Sequence, residues 1–145
     1  MAKQPGKATE ILRWLCVLPG GIFASFLILF PLHWVLYFTL VKGSMIQMPM
    51  EDMAPIERFL SPVLSSIFFV FVGAMIAPSK QVLVSYVLFS LSLFARFGVL
   101  VVAIAQQLDV DLSTYGIFRL LVSSLAGAFG IVLVTLKTKQ ERDSL

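Results

Sequence analysis

Hydrophobic and polar positions alternate along this chain in long blocks rather than residue by residue. Four stretches are almost wholly apolar: within Trp14–Val41, from Pro55 to Ala77, from Gln81 to about Ala105, and from about Tyr115 to Leu136. A run of about 18 or more apolar residues is long enough to cross a bilayer as a helix. The pattern therefore predicts an all-α integral membrane four-helix bundle, a single domain over 1–145 built from two antiparallel hairpins. Short cytoplasmic tails, 1–13 and 137–145, are expected to flank it.

The first block is the longest, 28 residues without a formal charge. As a helix it would reach about 42 Å, against a hydrocarbon core of about 30 Å, so it should tilt, begin late or bend. Pro19 suits a first helical turn. Pro31 lacks an N–H and crowds the carbonyl of Leu27, which predicts a kink. Trp14, Trp34 and Tyr37 are expected interfacial anchors. Lys3, Lys7 and Arg13 ahead of an apolar run also resemble the start of a signal peptide, but the run far exceeds the roughly 7–15 residues of a secretory core. It is read as a retained span.

Between the blocks lie connections of distinct character. Lys42–Ala54 is rich in methionine (Met45, Met48, Met50, Met53) and carries Glu51 and Asp52. Thioethers can hold copper(I), yet no His or Cys accompanies them and their spacing is irregular. Adaptable packing onto a membrane or a partner is the expectation, with no metal or other cofactor. Pro78-Ser79-Lys80 predicts a tight turn, and Gln106–Thr114 carries Asp109 and Asp111 without a base.

Composition removes the soluble alternatives. The chain is 59% hydrophobic and only 13% charged, too little polar surface to cover a water-soluble domain of 145 residues. Its net charge of +3 speaks for orientation and not for nucleic acid, because the basic residues sit at span ends. Lys3, Lys7, Arg13, Lys80, Lys137, Lys139 and Arg142 fall on one side, Lys42 and Arg58 on the other with five acids. Seven against two puts both termini in the cytoplasm, and a short chain with this bias suits a bacterial inner membrane. The lone cysteine, Cys16, excludes a disulfide framework and is expected to be a buried thiol.

Helices in lipid associate through small and polar residues, so such faces should turn inward. In span three Gln81, Ser85, Ser92, Arg96, Ala103 and Gln107 recur at spacings of 4, 7, 4, 7 and 4, within an arc of about 80°. Pro62, Ser66, Gly73 and Ala77 repeat the spacing 4, 7, 4 in span two, and Arg119, Ser123, Ala126 and Gly130, flanked by Gly127, form a like seam in span four. Spans two and four also share a short likeness, Ile56-Glu57-Arg58-Phe59-Leu60 against Ile117-Phe118-Arg119-Leu120-Leu121. A duplicated hairpin would explain it.

Candidate chemistry is confined to three side chains. An arginine near mid-membrane costs at least about 2.5 kcal/mol, so Arg96 should have a partner. Either it forms a structural contact with Asp109, Asp111, Glu57 or carbonyls freed by Pro31 or Pro62, or it joins Arg119 and His33 in an outward-facing basic pocket for a lipid phosphate or another anion. His33 has no carboxylate at helical spacing and is read as an interfacial hydrogen-bonder. No catalytic or phosphate-binding motif is present, and every acid lies at or outside an interface. The chain is therefore expected to be non-enzymatic, acting in the lipid bilayer by assembly as a homo-oligomer or with a membrane partner. The alternative is a transporter or channel subunit using the basic pocket.

Overall fold

The computed structural model describes residues 7–42, 50–106 and 114–144, with the side chains of Met50, Glu51, Asp52, Ala103 and Thr114 left aside. Gln107, Asp109, Asp111, Met45 and Met48 lie outside these residues. The chain is all-helical: α1 (Lys7–Leu27), α2 (Leu29–Leu36) with a π-helical turn at Tyr37–Val41, α3 (Met50–Ile76), α4 (Gln81–Ala105) and α5 (Thr114–Asp143). Four helical rods, α1 with α2 and the π turn counted as one, are long and apolar enough to cross a membrane.

Helix boundaries outrun the apolar blocks at both ends of the chain. α1 begins at Lys7, so Pro19 lies inside the helix and not in its first turn. α5 continues through the expected tail to Asp143, with Lys137 and Glu141 paired at 4.0 Å one turn apart. Good helix formers such as Lys, Gln and Glu keep the helical backbone going after the apolar face has ended. α3 likewise starts at Met50, five residues before Pro55, and takes Met53 from the expected loop into a buried position. The interruption between α1 and α2 falls at Ile28, three residues before Pro31, where the missing N–H leaves the Leu27 carbonyl unpaired within the helix.

Cross-helix neighbours give the register. Gly21 lies against Phe69 and Gly73 beside Val17, so α1 and α3 are antiparallel. Gly127 meets Ser66 and Gly130 meets Val70, so α5 runs parallel to α3; Gly127 meets Phe89 and Ser123 meets Arg96, so α5 runs antiparallel to α4. α3 is the hub: α1, α4 and α5 all pack on it, α4 and α5 also pack on each other, and α1 rests essentially on α3 alone. The arrangement is a three-helix core with one flanking helix, not a square bundle. Cys16 is accordingly exposed, contrary to its expected burial, because only the Val17 and Gly21 face of α1 is covered.

The main buried cluster lies at one end, with Leu36 and Met53 buried separately at the other. Val17, Val70, Ala74, Ala77, Val84, Leu88, Ile131 and Val134 all lie in the helical halves nearer the chain termini and the Pro78–Lys80 turn. Small residues permit this close approach: a Cβ added at Gly73 would fall 2.6 Å from Leu88 Cδ1, and one at Gly130 3.1 Å from the Ile67 carbonyl oxygen. Arg13 Nε donates to the Ile76 carbonyl at 3.1 Å, closing the C-terminus of α3. At the opposite end α3 and α5 remain joined by Phe59 stacked on Phe118, ring centroids 6.0 Å apart. α4 does not follow them. From Phe97 to Ala105 every described residue except Leu100 is exposed.

Candidate functional site

The divergence of α4 leaves a cleft of about 550 Å³ at the open end, between α4 and α5 with α3 behind. Arg58 and Pro62 come from α3, Ala95, Arg96, Val99 and Leu100 from α4, and Gly116, Arg119, Leu120 and Ser123 from α5. Three arginines thus line one cleft, and among the described residues its lining contains no acidic side chain.

Arg96 is held from three directions. Nη1 donates to Ser123 Oγ, and Nη2 donates to Ser66 Oγ and to the Pro62 carbonyl, the last at 3.3 Å. Both hydroxyls are oriented to receive it. Ser66 donates its own proton to the Pro62 carbonyl at 2.7 Å, and Ser123 donates to the Leu120 carbonyl at 3.0 Å. Each serine oxygen therefore presents lone pairs to the guanidinium. The carbonyl used is that of Pro62 itself, not one freed by a proline ring. Glu57 is not a partner either, and Asp109 and Asp111 fall outside the described residues. Among the described residues all the partners of Arg96 are neutral, so there its charge is solvated by dipoles.

Arg119 lines the same cleft, half-buried. Arg58 is the residue the sequence reading left out of the pocket. Among the described residues neither has a hydrogen-bond or ion-pair partner. The short likeness between spans two and four pairs Arg58 with Arg119, and the parallel register of α3 and α5 sets the two segments side by side. That likeness was the signal for Arg58.

His33 is not in the cleft. It sits on α2, and its Nδ1 is 3.1 Å from Glu57 Oε1 and 3.2 Å from Oε2, a pair joining α2 to α3. The carboxylate absent at helical spacing comes from another helix. This pair occupies the one acid adjacent in sequence to Arg58.

On the other flank of Arg96 a furrow of about 310 Å³ runs between α1 and α4, lined by Ser25, Ser65, Ser66, Ser92 and Arg96 among apolar side chains. Ser65 crosses to α1, donating to the Ser25 carbonyl at 3.3 Å. Ser85 is fully buried at the packed end and bonds within its own helix, to the Val82 carbonyl at 2.7 Å. Gln81 reaches back to the Ala77 carbonyl at 3.5 Å. The seam of span three therefore divides by depth: its first residues pack, Ser92 lines the furrow beside Arg96, Arg96 bonds to the neighbouring helices, and Gln107 is outside the described residues. Ala77, Ser123, Ala126, Gly127 and Gly130 are buried, as is Gly73. Comparison with protein-family models, curated proteins and solved structures returns no match to this chain.

Proposed function

We propose that this is a non-enzymatic, multi-pass membrane protein whose arginine cleft binds an anionic group in the outer half of the bilayer. It sits in a bacterial inner membrane with both termini cytoplasmic, and serves transport or a carrier role through that cleft. One observation carries the proposal: Arg58, Arg96 and Arg119 converge on a single cleft that no acid lines among the described residues. Guanidinium groups bind phosphate and carboxylate oxygens in a bidentate fashion. Holding three of them together without an anion costs like-charge repulsion that a bound anion removes. The seven-to-two distribution of Lys and Arg supports the orientation. Thermal unfolding of the purified protein in neutral detergent, titrated with sulfate, phosphate and anionic lipid, tests it. A rise in midpoint with at least one of them is expected, and no response to any of them overturns the anion site.

A second reading, assembly into a homo-oligomer or with a membrane partner, is favoured by a different observation. α1 rests on α3 alone and leaves the serine-lined furrow beside α4 open. Native mass spectrometry in lipid would show a multimer, and a strict monomer at all concentrations would remove this reading.

A further inference from the structure

We infer that the anion taken by this cleft is a phosphate carried on a membrane lipid, which enters sideways between α4 and α5. Arg58 and Arg119 grip the phosphate, while Ala95, Val99, Leu100 and Leu120 receive the apolar portion. This rests on the anion-binding reading and adds to it a second kind of recognition.

The lining is of two chemistries. Three guanidiniums and the Ser123 hydroxyl share the cleft with Ala95, Val99, Leu100 and Leu120. A hydrated inorganic ion gains nothing from those apolar walls, whereas an amphiphile uses both parts. The cleft is also open on its flank. Val99 lines it yet is 70% exposed, and a Cβ built on the neighbouring Gly98 would meet no atom within 4 Å. In a bilayer that opening faces hydrocarbon, so the way in is lateral and selects a molecule already dissolved in the membrane.

Depth agrees with this assignment. Arg58 follows the start of α3 at Met50 by two turns, and Arg119 lies in the second turn of α5 from Thr114. Both are close to where headgroup meets hydrocarbon once the helices span the bilayer. Arg96 is deeper and already bonded to Ser66, Ser123 and the Pro62 carbonyl, which makes it the fixed floor of the cleft. Arg58 and Arg119 have no partner among the described residues. Glu57, the nearest acid in sequence, is engaged by His33 and does not compete. A volume of about 550 Å³ falls in the range of small-ligand sites and suits a glycerophosphate head with the beginning of its chains.

The test uses the full chain in neutral detergent micelles and three probes: phosphatidylglycerol, phosphatidylcholine with the same acyl chains, and inorganic phosphate. Native mass spectrometry counts bound lipid, and the thermal midpoint reports occupancy. Phosphatidylglycerol is expected to bind at least about tenfold more tightly than phosphatidylcholine, and the double variant Arg58→Ala/Arg119→Ala to lose about tenfold of that affinity. Arg58→Lys/Arg119→Lys, which keeps the charges, should fold and bind at an intermediate level. Inorganic phosphate should neither bind alone nor displace the lipid. Equal binding of phosphatidylcholine, whose phosphate is balanced by its own choline cation, overturns selection of a net-anionic lipid, and wild-type binding by a folded double-alanine variant overturns the location of the site. Inorganic phosphate that binds and competes leaves the anion site standing but refutes the lipid. Failure of every probe removes the anion reading as well.

Discussion

Arg96 ties together the three helices that make the core, and the strength of that tie sets what its loss should do. Its three hydrogen bonds reach α3 twice and α5 once. Interhelical hydrogen bonds in membrane proteins average about 0.6 kcal/mol, so Arg96→Ala should destabilise the bundle by about 2 kcal/mol, and Ser66→Ala or Ser123→Ala by about 0.6 kcal/mol each. Reversible unfolding in mixed micelles would measure both. An Arg96→Ala midpoint equal to wild type would make the contact incidental. The need for a partner was legible in the sequence, because an arginine inside an apolar span has few other ways to be stable. Its partners were not, since nothing in composition distinguishes two serines and a carbonyl on neighbouring helices from the acids beyond the span. Arg58 was hidden for a related reason: counted as a loop charge, it becomes part of a site only once α3 and α5 lie parallel. Lys80 is a separate residue-scale feature. It adopts a left-handed conformation, φ 53°, at the turn into α4, which costs a non-glycine residue about 1 kcal/mol. Lys80→Gly should recover part of that as a higher unfolding midpoint, and a lower midpoint would show that the lysine side chain outweighs the strain.

Between helices the glycines divide into two kinds, and substitution should separate them. At Gly130 an added Cβ would press on the Ile67 carbonyl oxygen and on Val70 Cβ, both at 3.1 Å. Backbone cannot move aside as a side-chain tip can, so Gly130→Leu should cost several kcal/mol, at the upper end of overpacking effects of about 1–3 kcal/mol. Gly98 meets nothing within 4 Å. Gly98→Ala should therefore raise stability by about 0.5–1 kcal/mol through helix propensity alone. Chemical denaturation of the two variants side by side would check both signs. Four helices were plain in the sequence because apolar blocks of that length have few alternatives. Their ends were not, because polarity ends a span without ending a helix: Lys7–Arg13 and Lys137–Asp143 are helical and polar at once. The small-residue seams likewise pointed to packing faces, yet they could not say that α1 would use only one neighbour.

Across the whole molecule, the packed cluster and the arginine cleft are segregated. The buried apolar cluster occupies the end with the chain termini, and Arg58, Arg96 and Arg119 line the cleft at the other, where α4 leaves its neighbours. Regions with few buried contacts open at low free energy, so the arginine end is the part able to admit a ligand while the packed end holds the helices together. Orientation then decides which compartment the cleft serves. In the orientation proposed from the basic residues, with both termini cytoplasmic, it opens toward the outer leaflet. Single cysteines in a Cys16→Ser background can read this out, since Cys16 itself is exposed. A membrane-impermeant maleimide added outside intact cells should label Lys42→Cys, while Ser144→Cys should react only after the membrane is opened. Ala74→Cys, in the packed core, should stay unlabelled under both conditions. Labelling of Ser144→Cys in intact cells would reverse the orientation and turn the cleft to the cytoplasmic leaflet, leaving its arginines in place but changing the lipid pool they face.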